Sequence, residues 1–396
     1  MKTTNIQADF KISQETPNFL NICINYNFFC YCNHIINKYK LNEINYIEFI
    51  ILTKNDLYNK KNKADLKKKL ELENFLRETY SFYKYVPLEN LQALRDKIYL
   101  DWDSLGVLGR VYIAKEGINA QISIPKYNVK KFKTNLYSHN TFNKINIKKA
   151  VQPGISFYKL IIKVKEEIVA YKISDNEYDM NKVGKHLNYK EFNRAIEDGA
   201  TIVDVRNYYE GEVGKFEDAI IPDVDASIEL LPEIKKLLKN KKNDKILMYC
   251  TGGIRCEKAS SYLIHHGFKD VNQLDGGIVQ YANDIKKHDE KSKFIGKNFV
   301  FDQRLGERIT DDIISTCHQC NAKADEHTNC INQSCHILFI QCDKCSKKYS
   351  GCCSSKCAEF IKKTKEEQKE IFLSGKIKFT AQESASIKPK LNKIKK

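Results

Sequence analysis

The stretch KILMYCTGGIRCEKASSYLIHHGF, residues 245–268, decides the fold of the region around it. Its apolar start predicts a buried strand that ends at Cys250, and the pattern after the glycine turn predicts a helix that stops near Gly267. Residues 200–206 and 270–278 have the pattern of further buried strands, and residues 187–199 that of a helix. Apolar strands that alternate with helices predict a parallel sheet covered on both faces.

The turn after this strand carries the chemistry. Cys250 stands at the carboxyl end of a strand, where open parallel sheets bind ligands, and the N–H groups of the turn and of the following helix favour a thiolate. Arg255 either fixes the loop or binds an anion. The spacing Cys-x4-Arg is one residue shorter than the loop of cysteine phosphatases, so it favours a persulfide-forming nucleophile. A buried structural cysteine is the alternative. The loop residues are Thr251, Gly252, Gly253 and Ile254.

Composition and charge bound the kind of protein. The chain of 396 residues is long enough for several domains, and its net charge of +16 is typical of proteins that bind polyanions such as nucleic acid. An AT-rich genome, which enriches Lys, Asn and Ile together, is the other explanation of that charge. We find neither a secretory signal nor an apolar run of membrane-spanning length, so we expect a cytoplasmic protein whose 14 cysteines are thiols and metal ligands.

The order of predicted elements divides the chain into five parts. Residues 81–171 have the order strand, helix, two strands, helix, strand, which is that of a ferredoxin-like sandwich, and residues 63–80 before them predict a helix. The predicted fold class is therefore α/β and α+β multidomain. The parts are a Lys/Asn-rich N-terminal extension (1–78), a ferredoxin-like domain (79–180), the parallel-sheet domain (186–290), a cysteine-rich region (291–360) and a basic tail (361–396).

The cysteine-rich region has the spacing of a metal site. Two Cys-x2-Cys pairs separated by 21 residues are close to the pattern of a zinc ribbon, and in a reducing cytoplasm they predict a structural zinc. An iron–sulfur cluster is the alternative. The ligands of this predicted site are Cys317, Cys320, Cys342 and Cys345. A second site remains open, with candidate ligands His318, His327, His336, Cys330, Cys335, Cys352, Cys353 and Cys357.

Several segments together resemble known families. IVDVR (202–206), GKFEDAIIP (214–222) and QLDGGI (273–278) resemble the signatures of the rhodanese superfamily. With FYKY (82–85), GRVYIAKEGINAQIS (109–123), FIGKNFVFDQRLGERI (294–309) and CHQC (317–320), the chain is more closely similar to the bacterial oxygen-dependent tRNA uridine hydroxylases. That resemblance implies a rhodanese domain after the ferredoxin-like one. It also implies an oxidoreductase that converts the wobble uridine of tRNA to 5-hydroxyuridine with molecular oxygen.

The resemblance assigns roles to individual residues. The family's catalytic cysteine corresponds to Cys250, and the family also carries the second thiol, Cys256, which either resolves a persulfide or sulfenate or caps the helix. Asp204 and Arg206 are expected to support the structure, Arg206 by pairing with an acidic neighbour. The family commonly has a further cysteine where this chain has Ala324, which argues against two complete four-cysteine sites.

A tRNA partner would need a basic and aromatic surface. The candidate residues are Lys115 and Asn119 near one turn, and Phe299, Phe301 and Arg304 in the segment KNFVFDQR. Lysine and arginine would neutralise phosphates, and a phenylalanine would stack on an unpaired anticodon base. Alternatively, the aromatic side chains pack the junction between domains.

Three functions fit these features. The first is the tRNA uridine hydroxylase, and the second is a rhodanese-type persulfide sulfurtransferase that acts on tRNA or a protein. The third, a non-catalytic RNA-binding module, is disfavoured by the intact Cys-x4-Arg loop. We find no motif for a flavin, a dinucleotide, a phosphate-binding loop or an iron triad, so we expect no nucleotide cofactor. The sequence leaves the oligomeric state open and predicts no membrane partner.

Overall fold

The computed structural model describes residues 62–375 and 378–379. Residues 1–61 of the predicted N-terminal extension lie outside the described residues, as do residues 380–396 of the predicted basic tail. Within the described part, no helix is both long and apolar enough to cross a membrane.

The first domain is built on a five-stranded sheet in the order β4-β1-β3-β2-β5. Strand β3 pairs antiparallel with both β1 and β2, and β4 pairs antiparallel with β1, which is the arrangement of a ferredoxin-like sandwich with one added strand, β5. The predicted fold is confirmed. The elements are α1 (Lys63–Glu71), β1 (Arg77–Tyr85), α2 (Leu91–Ser104), β2 (Leu108–Ala114), β3 (Gly117–Pro125), α3 (Val129–Ser138), β4 (Lys148–Lys149) and β5 (Leu160–Val164).

The helix predicted over residues 63–80 is too long. It ends at Glu71, and strand β1 already begins at Arg77. The side chains of Tyr80 and Phe82 are buried on the same face of β1. Burial of every second residue is the pattern of a strand, and it determines the structure here in place of the predicted helix. The charged residues before them are compatible with either structure.

The second domain contains a four-stranded sheet in the order β6-β10-β9-β7, and every pairing in it is parallel. This confirms the parallel sheet predicted from the alternating pattern. Along β9, Ile246 and Met248 pack into one hydrophobic cluster, whereas Leu247 and Tyr249 pack into a second cluster on the opposite face. The elements are β6 (Lys185–Leu187), α4 (Tyr189–Glu197), β7 (Thr201–Asp204), α5 (Tyr208–Gly211), β8 (Gly214–Phe216), α6 (Ser227–Leu237), β9 (Lys245–Tyr249), α7 (Ile254–His265), β10 (Asp270–Leu274) and α8 (Gly277–His288).

The cysteine-rich region joins the second domain through a small sheet in the order β12-β11-β8. It then forms a two-stranded hairpin, β13-β14, and short helices, two of which contain Cys345 and Cys357. The elements are β11 (Phe294–Asn298), β12 (Glu307–Arg308), β13 (His327–Asn329), β14 (Leu338–Ile340), α9 (Asp343–Lys348), α10 (Ser355–Phe360) and α11 (Lys365–Ser374). The domain boundaries given above remain predictions.

The first two domains are joined by a charged contact on helix α7. The Lys258 ammonium, whose side chain is 1% exposed, lies 2.6 Å from a Glu116 carboxylate oxygen and 3.0 Å from one of Glu167. Both carboxylates belong to the chain before the second domain. Because α7 begins at the Cys250 loop, this contact fixes the first domain beside the loop.

Candidate active site and metal-binding clusters

Cys250 follows the last residue of β9 and is fully buried. The backbone N–H of Gly253 donates to its sulfur at 3.1 Å. Gly253 has φ +98°, a conformation that favours glycine, and it allows the chain to turn back over the sulfur. At the start of α8, Ile278 N–H donates to the Cys250 carbonyl at 3.0 Å. A Cβ at Gly277 would lie 2.5 Å from that carbonyl oxygen, so the QLDGGI segment needs this glycine for close packing.

The surroundings of Cys250 stabilise its thiolate. Burial alone would raise the pKa of Cys250, but the Cys256 thiol, the Arg255 charge and the backbone N–H groups of both residues lower it to about 5. The pKa of Cys256 is raised well above its usual value by burial and by its hydrogen bond to Cys250. At neutral pH the site therefore holds one thiolate and one thiol, and the thiol is the donor.

Arg255 is committed to the loop. Its two terminal nitrogens donate to the two carboxylate oxygens of Glu210 at 2.6 and 2.9 Å, and one of them also donates to the Thr251 hydroxyl at 3.0 Å. Glu210 is fully buried on α5. Of the two roles expected for Arg255, this geometry supports fixing the loop. No local pattern points to Glu210, because it lies 45 residues before its partner.

Asp204 and Arg206 form a second buried ion pair beneath the sheet's carboxyl edge. Arg206 donates to both carboxylate oxygens of Asp204, at 2.8 and 2.6 Å, and to the Gly214 carbonyl at 2.7 Å. The Tyr249 hydroxyl donates to Asp204 at 2.8 Å. These contacts connect the strand that ends at Cys250 to the neighbouring strand and support a structural role for both charged residues.

The first domain covers the loop with side chains that the sequence did not single out. The Tyr83 hydroxyl donates to Glu257 at 2.9 Å, and a Cβ at Gly253 would lie only 2.8 Å from that hydroxyl oxygen. The Tyr171 hydroxyl donates to the Arg255 carbonyl at 3.2 Å. Lys148, which is 4% exposed, reaches the same place from β4. The candidate site is therefore formed between two domains.

Family models match the three described regions in turn. They are the acylphosphatase-like domain of the UPF0176 family at residues 77–168, a rhodanese-like domain at 188–284 and a rhodanese C-terminal domain at 295–358. A protein of Leptospira interrogans named tRNA uridine(34) hydroxylase is 53% identical over 344 residues, which are 86% of this chain and 94% of that one. This chain belongs to the tRNA uridine(34) hydroxylase family.

A second sequence relative agrees with that membership. A tRNA uridine(34) hydroxylase of Hamiltonella defensa is 48% identical over 316 residues, covering 79% of this chain and 89% of its own. A crystal structure of a rhodanese-like domain protein from Staphylococcus aureus is 25% identical and covers 24% of this chain and 90% of its own, with a TM-score of 0.21. A TM-score this low supports no conclusion. The family membership therefore rests on the sequence relatives.

The residues predicted to bind RNA are not equally available in this member of the hydroxylase family. Lys115 is exposed. Phe299 is 1% exposed and packs edge-on against Tyr209, so it has no free face for a base, and the stacking role predicted for it is not supported. Arg304 forms ion pairs with Asp302 and Glu307, both at 2.5 Å, which neutralise its charge.

Asn119 and Phe301, the other two residues predicted to bind RNA, differ in their contacts and exposure. Asn119 donates to the Ile168 carbonyl at 3.2 Å and accepts from Gln121 at 2.6 Å, so it serves the first domain's own packing. Phe301 is 39% exposed and lies 6.0 Å from the Arg255 guanidinium, measured to the ring centroid. Lys115 and Phe301 are the members of the predicted set whose side chains are exposed.

The cysteine-rich region contains two four-cysteine clusters. The first contains the four cysteines predicted from the zinc-ribbon spacing, and in each cluster all sulfur atoms lie within 4.8 Å of one another. Sulfur–sulfur distances of 3.6 Å (Cys320–Cys342), 3.7 Å (Cys335–Cys353) and 3.8 Å (Cys353–Cys357) match the edge of about 3.8 Å expected for four sulfurs 2.3 Å from one zinc ion. The second cluster consists of Cys330, Cys335, Cys353 and Cys357.

The second cluster corrects the expectation drawn from Ala324. This residue belongs to neither cluster, and two groups of four cysteines form without it. The candidate histidines are not part of either group, and His318 instead bonds to Glu212 at 2.9 Å. Cys352 is buried beside the second cluster but is not one of its four members. All four members were among the candidate ligands of the second site that the sequence left open, but their irregular spacing did not show which candidates group together.

Proposed function

We propose that this protein hydroxylates uridine 34 of tRNA to 5-hydroxyuridine, with molecular oxygen as co-substrate and Cys250 as the essential thiol. The observation that carries the proposal is the Cys250 thiolate, buried at a strand end in a chain that is 53% identical to a tRNA uridine(34) hydroxylase. A thiolate is a strong nucleophile, and burial between two domains keeps water from it.

The loop residues prepare this nucleophile. The Gly253 N–H and the Cys256 thiol hold negative charge on the Cys250 sulfur, and Arg255, clamped by Glu210, keeps the loop closed around it. Because Cys256 retains its proton, it is also placed to resolve an oxidised Cys250.

The tRNA partner is supported by charge. A net charge of +16 favours binding of a polyanion, and exposed Lys115 lies beside Glu116, which contacts helix α7 of the rhodanese domain. We propose that the anticodon loop docks along this side, since its bases are unpaired and accessible to an active site. The reaction would take place in the cytoplasm.

Each four-cysteine cluster is proposed to hold one structural zinc ion. The donor set fits zinc, because four thiolates at these separations surround one tetrahedral ion. The same separations argue against a multi-iron cluster, whose cysteines bind separate iron atoms. A bound zinc would cross-link a region whose own hydrophobic core is small.

A sulfurtransferase is the second candidate, and the Gly253 N–H aimed at the Cys250 sulfur favours it, because such a ring of donors also suits a persulfide. Nucleoside mass spectrometry separates the two functions. In cells that lack their own family member, the wild-type gene is expected to restore 5-hydroxyuridine-derived nucleosides in tRNA, and Cys250→Ser is expected not to. Restoration of thiouridines alone would support the sulfurtransferase and contradict the hydroxylase.

A further inference from the structure

The feature that the mechanism above does not use is a buried lysine. Lys148 is 4% exposed, and its ammonium lies 4.7 Å from the ring centroid of Tyr83. Across the described part of the chain, we find no hydrogen bond or ion pair to this ammonium. Buried lysines are normally paired, because an uncompensated charge in the interior is costly. The charges of Cys250, Asp275 and Glu257 offset this ammonium at longer range, and its N–H groups are left to donate to a ligand at the site.

The neighbouring lysine gives a direct contrast. Lys149 is exposed and forms an ion pair with Glu78 at 2.6 Å. The two residues alternate across strand β4, so one faces solvent and the other faces the junction between the domains. Only the inward-facing lysine lies near the Cys250 loop.

The position of Lys148 places it against this loop. Its Cδ would lie 3.2 Å from a Cβ at Gly276, the residue before the glycine that packs on the Cys250 carbonyl. The Tyr83 ring beneath the ammonium carries the hydroxyl that lies over Gly253. Lys148 and Cys250 thus approach the same small space from different domains.

The charge of Lys148 suits a proton donor. Burial lowers its pKa to about 8, against the opposing effects of Cys250, Asp275 and Glu257. Glu257 in turn is bonded to Tyr83 and to His186, both at 2.9 Å. An ammonium with a pKa just above neutrality is protonated at physiological pH and gives up its proton more readily than an exposed lysine.

We propose that Lys148 is a catalytic residue that binds the O4 carbonyl oxygen of the target uracil. This inference rests on the proposed function and names the group that recognises the base at the same site. The base is a better fit than a backbone phosphate, because the lysine lies beside the reacting thiolate and not on the outer surface. Entry of the base requires Tyr83 to move away from Gly253, since Cys250 is fully buried in this structure.

The bound lysine would assist one defined step. The Cys250 sulfur forms a bond to C6 of the uracil, the C5–C6 π bond breaks, and its electron pair moves through C4 to O4. The Lys148 ammonium stabilises this oxygen and donates a proton to it, leaving an enol whose C5 is electron-rich. C5 is the carbon that receives the hydroxyl group in the proposed reaction. The step involves no oxidant or reductant.

The test uses the full-length protein and an anticodon stem-loop RNA that carries 5-fluorouridine at position 34. Under argon the adduct between Cys250 and C6 accumulates, and intact-protein mass spectrometry measures its rate of formation. We expect Lys148→Met to form the adduct about 100-fold more slowly than wild type, the scale found for removal of one donor to a developing oxyanion. Lys148→Arg, which keeps the charge, is expected to recover most of the rate, and Lys149→Met is expected to match wild type.

A second readout separates this role from a structural one. Alkylation of Cys250 by iodoacetamide needs the same movement of Tyr83 but no proton donor to O4, so the rate for Lys148→Met is expected to stay within about twofold of wild type. An unchanged adduct rate in Lys148→Met would overturn the inference, and so would an equal loss of adduct formation and alkylation. If wild type restores 5-hydroxyuridine in cells but forms no adduct, the inference fails and the proposed function stands. If wild type restores no 5-hydroxyuridine, the proposed function fails first.

Discussion

The low pKa of the Cys250 thiol depends on a small number of neighbouring groups that stabilise its thiolate. Two features of the loop are local, the Gly253 N–H and the Cys256 thiol, and they lie within six residues of the sulfur. The third is the Arg255 charge, which needs the distant Glu210 to hold it in place. Each contribution can be removed separately.

Replacing Cys256 by alanine removes one donor to the Cys250 sulfur. Because the pKa of Cys250 is lowered to about 5, its alkylation rate in wild type should fall as the pH drops through about 5. In Cys256→Ala the midpoint should rise by about one pH unit, the equivalent of one hydrogen bond. Cys256→Ser keeps a donor and should stay close to wild type. Peptide-resolved iodoacetamide kinetics measure both, and equal midpoints in the alanine variant and wild type would contradict this description of the loop.

Replacing Glu210 by glutamine leaves the Arg255 charge buried without its ion pair. Breaking a buried pair typically costs about 3–5 kcal/mol, so Glu210→Gln should unfold at clearly lower urea concentration. The matched control is Glu233→Gln, which breaks an ion pair with the exposed Lys236 and should cost less than about 1 kcal/mol. Similar unfolding midpoints for the two variants would show that the Arg255 pair does not stabilise the fold.

At the scale of elements, the sequence predicted those parts of the site that are close together along the chain. Strand β9, the glycine turn and helix α7 lie within about two dozen residues, so their pattern and the position of Cys250 could be read directly. Tyr83 and Lys148 reach the loop only because two domains pack together, and no local pattern encodes that contact. The helix predicted over residues 63–80 is correct for its lysine-rich part and wrong after Glu71, where the chain turns into strand β1 at Arg77.

The two cysteine clusters also show that regular local spacing can be predicted from the sequence more readily than contacts between distant residues. The first has two regular Cys-x2-Cys pairs and was predicted, whereas the second combines irregular spacings that only the folded chain brings together. We expect anaerobically purified protein to contain two zinc ions per chain by elemental analysis. Cys317→Ser and Cys357→Ser should each lose one ion, whereas the control Cys352→Ser should keep both. A wild-type protein with one ion or none would contradict the two-site proposal.

At the scale of the molecule, the site exists only while the ferredoxin-like and rhodanese domains stay docked. Lys258 is the main charged contact between them, and it is buried between two carboxylates. Removing it leaves Glu116 and Glu167 facing each other without a counter-charge. The stability of the docked arrangement should therefore depend on this one side chain.

Lys258→Met is expected to lower the midpoint of thermal unfolding by about 4 °C, because breaking a buried ion pair costs about 3 kcal/mol and a chain of this size has an unfolding entropy of about 0.8 kcal/mol per kelvin. Lys245→Met provides the control, since its ion pair with Asp270 is about half exposed on both sides. Differential scanning calorimetry compares the two. An unchanged midpoint in Lys258→Met would mean that other contacts hold the domains together.

The most direct test of the central claim follows the oxygen atom. Cells that depend on this protein for the modification are grown under 18O2. The masses of 5-hydroxyuridine-derived nucleosides from their tRNA are then measured by mass spectrometry. We predict that wild type yields nucleosides heavier by about two mass units than those made in ordinary air, and that Cys250→Ser yields none. Unlabelled 5-hydroxyuridine in wild type, or labelled 5-hydroxyuridine in Cys250→Ser, would contradict a dioxygen-dependent hydroxylation that needs the Cys250 thiolate.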